Sequence, residues 1–446
     1  MNELLDAPVA RSREAQPVGA AMHALVRRLY PICRSITGDG VRRSLAIIGE
    51  YIPLDIFEVP SGTPVFDWTV PKEWNVRDAY VKNARGERVI DFRKQNLHLV
   101  SYSMPVHRKM SLAELRPHLH TLPEHPDWIP YRASYYKEAW GFCLAQRHLD
   151  ALEDGEYEVC IDSTLEDGAL TYAECRLPGE REDEILLYTH ICHPSLCNDN
   201  LSGVALLTQL ALALRGRRRR HSFRFVFAPT TIGSITWLSR NESTLGRIEH
   251  GLVVALVGDP GPMTYKKSRR EVAPVDRALA HVLEHSGRPF TIAPFSPYGY
   301  DERQFCSPGI DLPVGRLTRT PNACYPEYHT SADDLDLVRP ECLAESLEIC
   351  GAALDVLDRD ARFVNLSPKC EPQLGRRGLF NKTSAQRDVG QRDLAMLWVL
   401  NLSDGQHSLL DIADRSGLRF ETIADCADDL VAAGLLEPAG QPNPPA

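Results

Sequence analysis

The residues best equipped for chemistry stand in two loops of this chain, HICHPSLCNDNLSG at 190–203 and PEYHTSADDLDLV at 326–338. Imidazole nitrogens and a carboxylate arriving from separate loops can hold zinc. His190 and Asp199 supply one of each from the first loop, and His329 adds a nitrogen from the second. The acidic turn Asp333-Asp334-Leu335-Asp336 offers a carboxylate to orient the His329 ring through its second nitrogen. Taken singly, these features also have plainer readings, a lone HxxH on a loop at His190–His193 and an Asp199 that caps the next helix.

The elements around the first loop suit that chemistry. Ile185-Leu186-Leu187-Tyr188 has the unbroken apolar character of an inner parallel strand, and Asn198-Asp199-Asn200 with Ser202-Gly203 reads as a loop entering a helix near Val204. His190 then ends a strand, the place where open α/β sheets expose ligands. The chain's 446 residues, 43% of them hydrophobic, allow two or three domains. From about Gly62 to Leu149 short β-type runs such as RDAYVKN, ERVIDF and LHLVSYS alternate with turns and carry four tryptophans, Trp68, Trp74, Trp128 and Trp140, which predicts a β-rich insertion. The α/β pattern resumes at EYEVCIDSTLEDGALTYAECRL. The expected domains are therefore an α/β domain at 20–61 and 150–360, the insert at 62–149, and a C-terminal module at 375–440.

The paired loops resemble those of the aminopeptidase-like zinc peptidases, a superfamily that also holds glutaminyl cyclases and glutamate carboxypeptidases. The matching strings are the D-[DN]-x-S-G loop, here Asp199-Asn200-Leu201-Ser202-Gly203, and the YHT-x-x-D turn, here Tyr328-His329-Thr330 through Asp333. The wider chain is similar to a bacterial subfamily of aminopeptidase-like domain proteins through LYPICRSITGDGVR, VPSGTPVFDWTVPKEWNVRDAY, SPYGYDERQFCSPG and SPKCEPQLGRRGL. The resemblance implies a mixed sheet flanked by helices, an inserted β domain and a C-terminal winged helix. It implies metal ligation by His190, Asp199 as the bridging carboxylate, and His329, with Asp259 resembling the aspartate of the other metal. Residues 252–257 form an apolar strand before Asp259, whose plain role is a turn ahead of Pro260-Gly261. A setting in secondary or surface-glycan biosynthesis is a further implication.

Departures from the superfamily bear on activity. An active aminopeptidase ends the next strand in a Glu-Glu pair, general base and ligand; FVFAPTTIGSITWL places Thr230 and Thr231 there. A threonine hydroxyl stays protonated near neutral pH and does neither job. Cys192 replaces the orienting aspartate, as an extra soft ligand or a buried small residue. His193 stands in reserve as a replacement ligand or a substrate contact. A carboxylate must then come from elsewhere, and Asp301 and Glu302 of SPYGYDERQFCSPG are the candidates, Glu302 ahead of Glu327. Asp301 matches by position an acidic residue that lines the superfamily's substrate pocket. The expected function is a zinc-dependent hydrolase of a small amide or peptide-like substrate, with one ion held tightly and the paired position weak or empty. The alternative is a non-hydrolytic transferase, cyclase or binding protein that kept the site.

Charge and composition narrow the partners. A net charge of −10 gives no general attraction to nucleic acid or anionic membrane, and the cationic run Arg215–Arg220 reads as a solvated turn. The third helix of the C-terminal module, within Arg419–Gly434, carries net −3, which argues against DNA as its partner. No apolar stretch has membrane length and the first residues lack a signal-peptide core, so a cytoplasmic protein with twelve reduced cysteines is expected. The composition leaves room for a homo-oligomer.

Overall fold

The computed structural model describes residues 17–379 and 390–439. Its frame is an eight-stranded mixed sheet. In chain order the strands are β1 (Asp55–Pro60), β2 (Ala169–Leu177), β3 (Glu184–His190), β4 (Ser222–Ala228), β5 (Ile248–Val254), β6 (Met263–Lys266), β7 (Phe290–Ala293) and β8 (Val314–Thr318), arranged β1-β2-β4-β3-β5-β8-β6-β7. The four central strands β4, β3, β5 and β8 run parallel, while β2 and β6 pair antiparallel at their flanks. The chain leaves β3 toward β4 on one side and returns to β5 on the other. That reversal opens a crevice at the carboxyl end of β3.

All seven residues of β3 are buried because both faces of the sheet are covered. Ile185 and Leu187 join a core with the helices Val18–Leu29, Gly203–Leu214, Pro274–His285 and Pro340–Arg359. Leu186 and Tyr188 face the other way, into a core with Trp237 of helix Ile232–Asn241 and with residues of the inserted domain. A strand covered on both faces carries no polar alternation, which accounts for its unbroken apolar sequence.

The insert builds its own antiparallel sheet, in the order Arg88–Asp91, Glu73–Lys82, Glu156–Glu166, Val106–Ser111. The strand Glu156–Glu166, expected to resume the α/β pattern, is thus the insert's own. It alternates buried and partly exposed residues, and that half-buried pattern is what a one-faced antiparallel sheet requires. The C-terminal module also begins earlier than residue 375. Arg362–Asn365 pairs with Asp404–Ser408 and Leu436–Pro438, and helices Gln391–Leu402, Leu409–Ser416 and Phe420–Ala432 complete a winged helix.

The winged helix docks on the α/β domain through charge. Arg359 meets Asp425 and Asp428 at 2.8 and 2.9 Å, and Arg277 meets Asp414 at 2.8 Å. Nδ1 of the buried His281 faces Asp414 at 2.9 Å, while its Nε2 accepts the backbone N–H of Phe420 at the start of the third helix, at 3.0 Å. The run Arg215–Arg220 is only partly solvated, since Arg219 is buried and Arg220 donates to the Asp360 carbonyl. No described helix is long and apolar enough to cross a membrane.

Gly203 sets how closely the first loop lies on the sheet. A Cβ there would stand 2.6 Å from both Asn200 Oδ1 and Thr189 Oγ1 and 2.7 Å from the Val254 carbonyl. Gly203→Ala should therefore lower stability by about 1–3 kcal/mol, the usual cost of overpacking. Urea denaturation of the variant beside the parent measures it, and equal midpoints would refute the tight approach.

Candidate metal centre

The first loop is held by its own polar side chains. Asn198 accepts the N–H of Gly258 at 2.9 Å, Asn200 that of Leu256 at 3.1 Å, and Ser202 that of Val257 at 3.0 Å. The loop after β5 and the loop after β3 are thereby fastened residue by residue. Asn200 also backs His190, its Nδ2 lying 3.3 Å from the ring Nδ1 and donating to the His190 carbonyl at 3.1 Å, while Asp199 turns its carboxylate to the Nε2 side of that ring.

Its carboxylate is fully buried and shared. Oδ1 lies 2.8 Å from His190 Nε2, and Oδ2 lies 2.9 Å from His329 Nε2. His193 stands 3.8 Å from Oδ1 through Nδ1, and its ring lies 5.2 Å from each of the other two imidazoles. Burial alone would push the Asp199 carboxyl up, but the three imidazoles outweigh it and hold it well below the ordinary range. Burial pushes His193 down to about 3 despite Asp199, so its ring is neutral near pH 7. Among the described residues Asp199 has no lysine or arginine partner. An anion enclosed by imidazoles that present nitrogen to it is a donor set that fits a divalent cation.

The second loop is fixed from both sides. His329 has φ +56°, a left-handed conformation that a non-glycine residue adopts at a cost of order 1 kcal/mol, and which clusters at functional sites. The N–H of Tyr131, from the insert, donates to the His329 carbonyl at 2.7 Å, and Ser331 N–H donates to the Ile129 carbonyl. Tyr131 also sets its ring edge-on against His193 and His329, 5.1 Å from each. Tyr328 stacks on His329 at 4.0 Å and Tyr300 lies 4.9 Å from His190. Asp333 does not orient the His329 ring as the sequence suggested. Its oxygens accept the backbone N–H groups of Cys197, Asn198 and Asp199 at 3.1, 2.5 and 2.9 Å. Burial and then the neighbouring Asp199 charge push Asp333 up to about 8, against those amide donors.

The structure therefore brings His190, Asp199 and His329 together and adds His193, which sequence reading had held in reserve. It does not bring Asp259 to them. That carboxylate accepts from Asn198 Nδ2 at 3.0 Å, from Thr320 Oγ1 at 2.5 Å and from the N–H of Gly261 at 2.8 Å, so it pins loops instead. Cys192 is buried, its thiol is pushed up by desolvation, and its sulfur accepts the Thr230 N–H at 3.4 Å.

The two candidate carboxylates part company. Glu302 is buried in an ion pair with Lys266 at 2.8 Å, with Arg316 3.5 Å away. Asp301 turns to the Thr230–Thr231 turn, where Ser234 donates to its Oδ1 at 2.6 Å while Oδ2 and the Thr230 hydroxyl are both buried without hydrogen-bond partners. Burial pushes Asp301 up to about 6, against the pull of His190 and Ser234. Glu327 is half-buried and offers its carbonyl to Thr330. Tyr131 was missed in the sequence. A tyrosine in a proline-rich stretch remote from both loops carried no signal.

A mixed α/β sheet with an imidazole–carboxylate cluster at its strand ends and an appended winged helix defines an aminopeptidase-like protein. The fold is shared with the zinc aminopeptidase BSAP of Bacillus subtilis, at a TM-score of 0.57 and 12% identity over 78% of this chain and 96% of that one. A crystal structure of a Clostridium acetobutylicum protein described as a peptidase superposes with a TM-score of 0.89 at 53% identity, covering 94% of this chain and 96% of the other. A protein of the same organism, named for polysaccharide biosynthesis and an aminopeptidase-like domain, is 53% identical over 427 residues, 95% of this chain and 98% of its own length. The chain belongs to the DUF4910 family, described as a domain of unknown function, through residues 23–360, and residues 361–438 match a winged helix-turn-helix family.

Asp333→Asn isolates the clasp between the two loops, because an amide cannot accept from three N–H donors as a carboxylate does. It should cost roughly 1.5–3 kcal/mol of stability and weaken zinc binding by about 10- to 100-fold. Zinc titration and chemical denaturation read the two effects, and unchanged affinity would separate Asp333 from the centre.

Proposed function

We propose that the chain is a zinc-dependent hydrolase of a small amide or peptide-like substrate, with His190, His193, Asp199 and His329 holding the ion. The observation that carries this reading is the Asp199 carboxylate, buried and divided between two imidazole nitrogens. Zinc bound there would supply Lewis acidity to the reacting carbonyl. Asp301 is the proton acceptor: it lies against Thr230, at the strand end where the aminopeptidases carry their acidic pair, and one of its oxygens is free. Glu302, balanced by Lys266 and Arg316, serves better to fix the loop than to move a proton. Tyr131, Tyr300 and Tyr328 wall the cluster, which suits a small substrate. Twelve unpaired cysteines accord with a reducing, cytoplasmic setting.

Asp301 must be ionised to accept a proton. With its pKa near 6, turnover should be present above that value and fall as pH drops through it. Asp301→Asn should abolish this acid limb and lower turnover about 100- to 10,000-fold, the usual worth of positioned proton transfer. Elemental analysis with a screen of aminoacyl amides and N-acyl compounds is the test, and His329→Ala should release one tightly held equivalent of zinc. Leucine anilide should be a poor substrate. Brisk cleavage that survives Asp301→Asn would overturn the assignment of the base.

The loss of both strand-end glutamates favours a second reading, a transferase, cyclase or binding protein that uses the ion without hydrolysis. Zinc in the centre with tight substrate binding and no hydrolysis anywhere in the screen would select it.

The same reading has the winged helix engage protein and not DNA. Asp425 and Asp428 of its third helix pair with Arg359, and the helix as a whole is acidic, so the counterion release that drives DNA binding is missing. Full-length protein should show no salt-sensitive, submicromolar binding to duplex DNA by fluorescence anisotropy; such binding would contradict it.

A further inference from the structure

A separate group of donors sits at the opposite, amino ends of β4 and β5. His221 immediately precedes β4, and Glu249 and His250 are the second and third residues of β5. One donor atom from each lies within 4.8 Å of the other two. His221 and His250 are buried, and Glu249 opens onto a cleft of about 760 Å³ that also touches the winged helix at Ser408 and Ala424.

The ring of His221 is oriented from behind. Its Nδ1 lies 3.1 Å from Asp358 Oδ1, and the same oxygen accepts the His221 backbone N–H at 2.7 Å. A carboxylate in that position keeps the proton on Nδ1 and leaves the Nε2 lone pair free, as it does behind metal-binding histidines. That Nε2 faces Glu249 Oε2 at 3.1 Å. Bonds of 2.0–2.2 Å to a tetrahedral ion put neighbouring ligand atoms about 3.3 Å apart, so this pair already stands near the required spacing. His250 adds a buried Nδ1 with no hydrogen-bond partner, and burial pushes its ring down to about 4, which keeps it neutral near pH 7.

We infer that His221, Glu249 and His250 form a divalent-cation site, distinct from the centre around Asp199 and suited to zinc by its two imidazoles and one carboxylate. The competing arrangement is an imidazolium at His221 shared by Asp358 and Glu249. It explains those two contacts and leaves the His250 nitrogen without a role. Two nearby charges oppose a cation, Arg220 and Arg181; Arg181 lies 4.0 Å from Glu249 Oε2, although it also pairs with Asp183 at 2.5 Å. Arg220 is turned away, onto the Asp360 carbonyl.

The test uses metal-free, full-length protein titrated with Zn²⁺ by calorimetry, with elemental analysis of the saturated, desalted product. Glu249 is exposed enough for Glu249→Gln to leave the fold intact. That variant should bind one equivalent fewer than the parent and keep the equivalent that His329→Ala removes. Arg181→Ala should tighten the second equivalent several-fold, which an imidazolium bridge would not produce. Equal stoichiometry and affinity in the parent and in Glu249→Gln, or an Arg181→Ala variant with no change in zinc affinity, would overturn the site.

Discussion

The geometry of the centre hangs on one buried carboxylate that binds no histidine. Asp333 accepts three consecutive amides of the Cys197–Asp199 segment, and a carboxyl group removed from water needs such a set of partners. Because Asp333 follows His329 by four residues, the clasp joins the backbone that carries Asp199 to the backbone that carries His329. Two loops more than a hundred residues apart in sequence therefore move as one unit. The separation of the two donors is set by bonds from one short side chain to main-chain amides, where long side chains would have left it loose. Asn198, Asn200 and Ser202 extend the same economy to the loop after β5.

The neighbouring carboxylates show how environment, and not residue type, divides roles. Asp301 and Glu302 are adjacent in sequence and both fully buried. Glu302 lies with Lys266 and Arg316, and its charge is balanced there. Asp301 has no lysine or arginine paired with it; Ser234 donates to it, His190 pulls on it, and it lies at the start of helix Ile232–Asn241, whose N-terminal dipole favours an anion. Threonines at 230 and 231 leave the end of β4 without charge of its own. The Asp301 carboxylate, carried by a different loop, lies against this uncharged turn and accepts from Ser234.

Much of this could be read from the sequence, and the failures have physical causes. The unbroken apolar run before His190 identified β3 and placed a donor at a strand end, and the polar string after it marked the entry to a helix. Asp199 and His329 were legible because their flanking residues, Ser202-Gly203 and Tyr328-Thr330, are themselves demanded by the packing. The partner of Asp333 was not legible, since a carboxylate that bonds backbone amides looks the same in sequence as one that bonds an imidazole. Asp259 misled for the same reason: an aspartate after a strand suits a ligand and a loop pin equally. The strand Glu156–Glu166 was assigned to the wrong sheet because alternation announces a half-buried strand without naming its neighbour, and that neighbour, Glu73–Lys82, lies about eighty residues earlier. His193 gave no clue to its burial, which depends on Tyr131 arriving from the insert and on Arg34 bonding the His193 carbonyl at 3.0 Å.

The insert and the winged helix bear on opposite ends of the same rigid strands. At the carboxyl ends, the segment Ile129–Tyr131 pairs with His329–Ser331, so the insert helps hold His329 in its left-handed conformation. At the amino ends, Asp358 reaches His221 from the last turn of the helix that leads into the winged helix, and Arg359 beside it binds the acids of that module's third helix. The acidic face that would repel a phosphate backbone is here a complement to Arg359, and the imidazole of His281 satisfies an amide at that helix's start. The third helix has the amide of Phe420 and the carboxylates of Asp425 and Asp428 engaged within the chain. The winged helix is thus joined to the α/β domain by the charge pairs and the amide contact of its third helix.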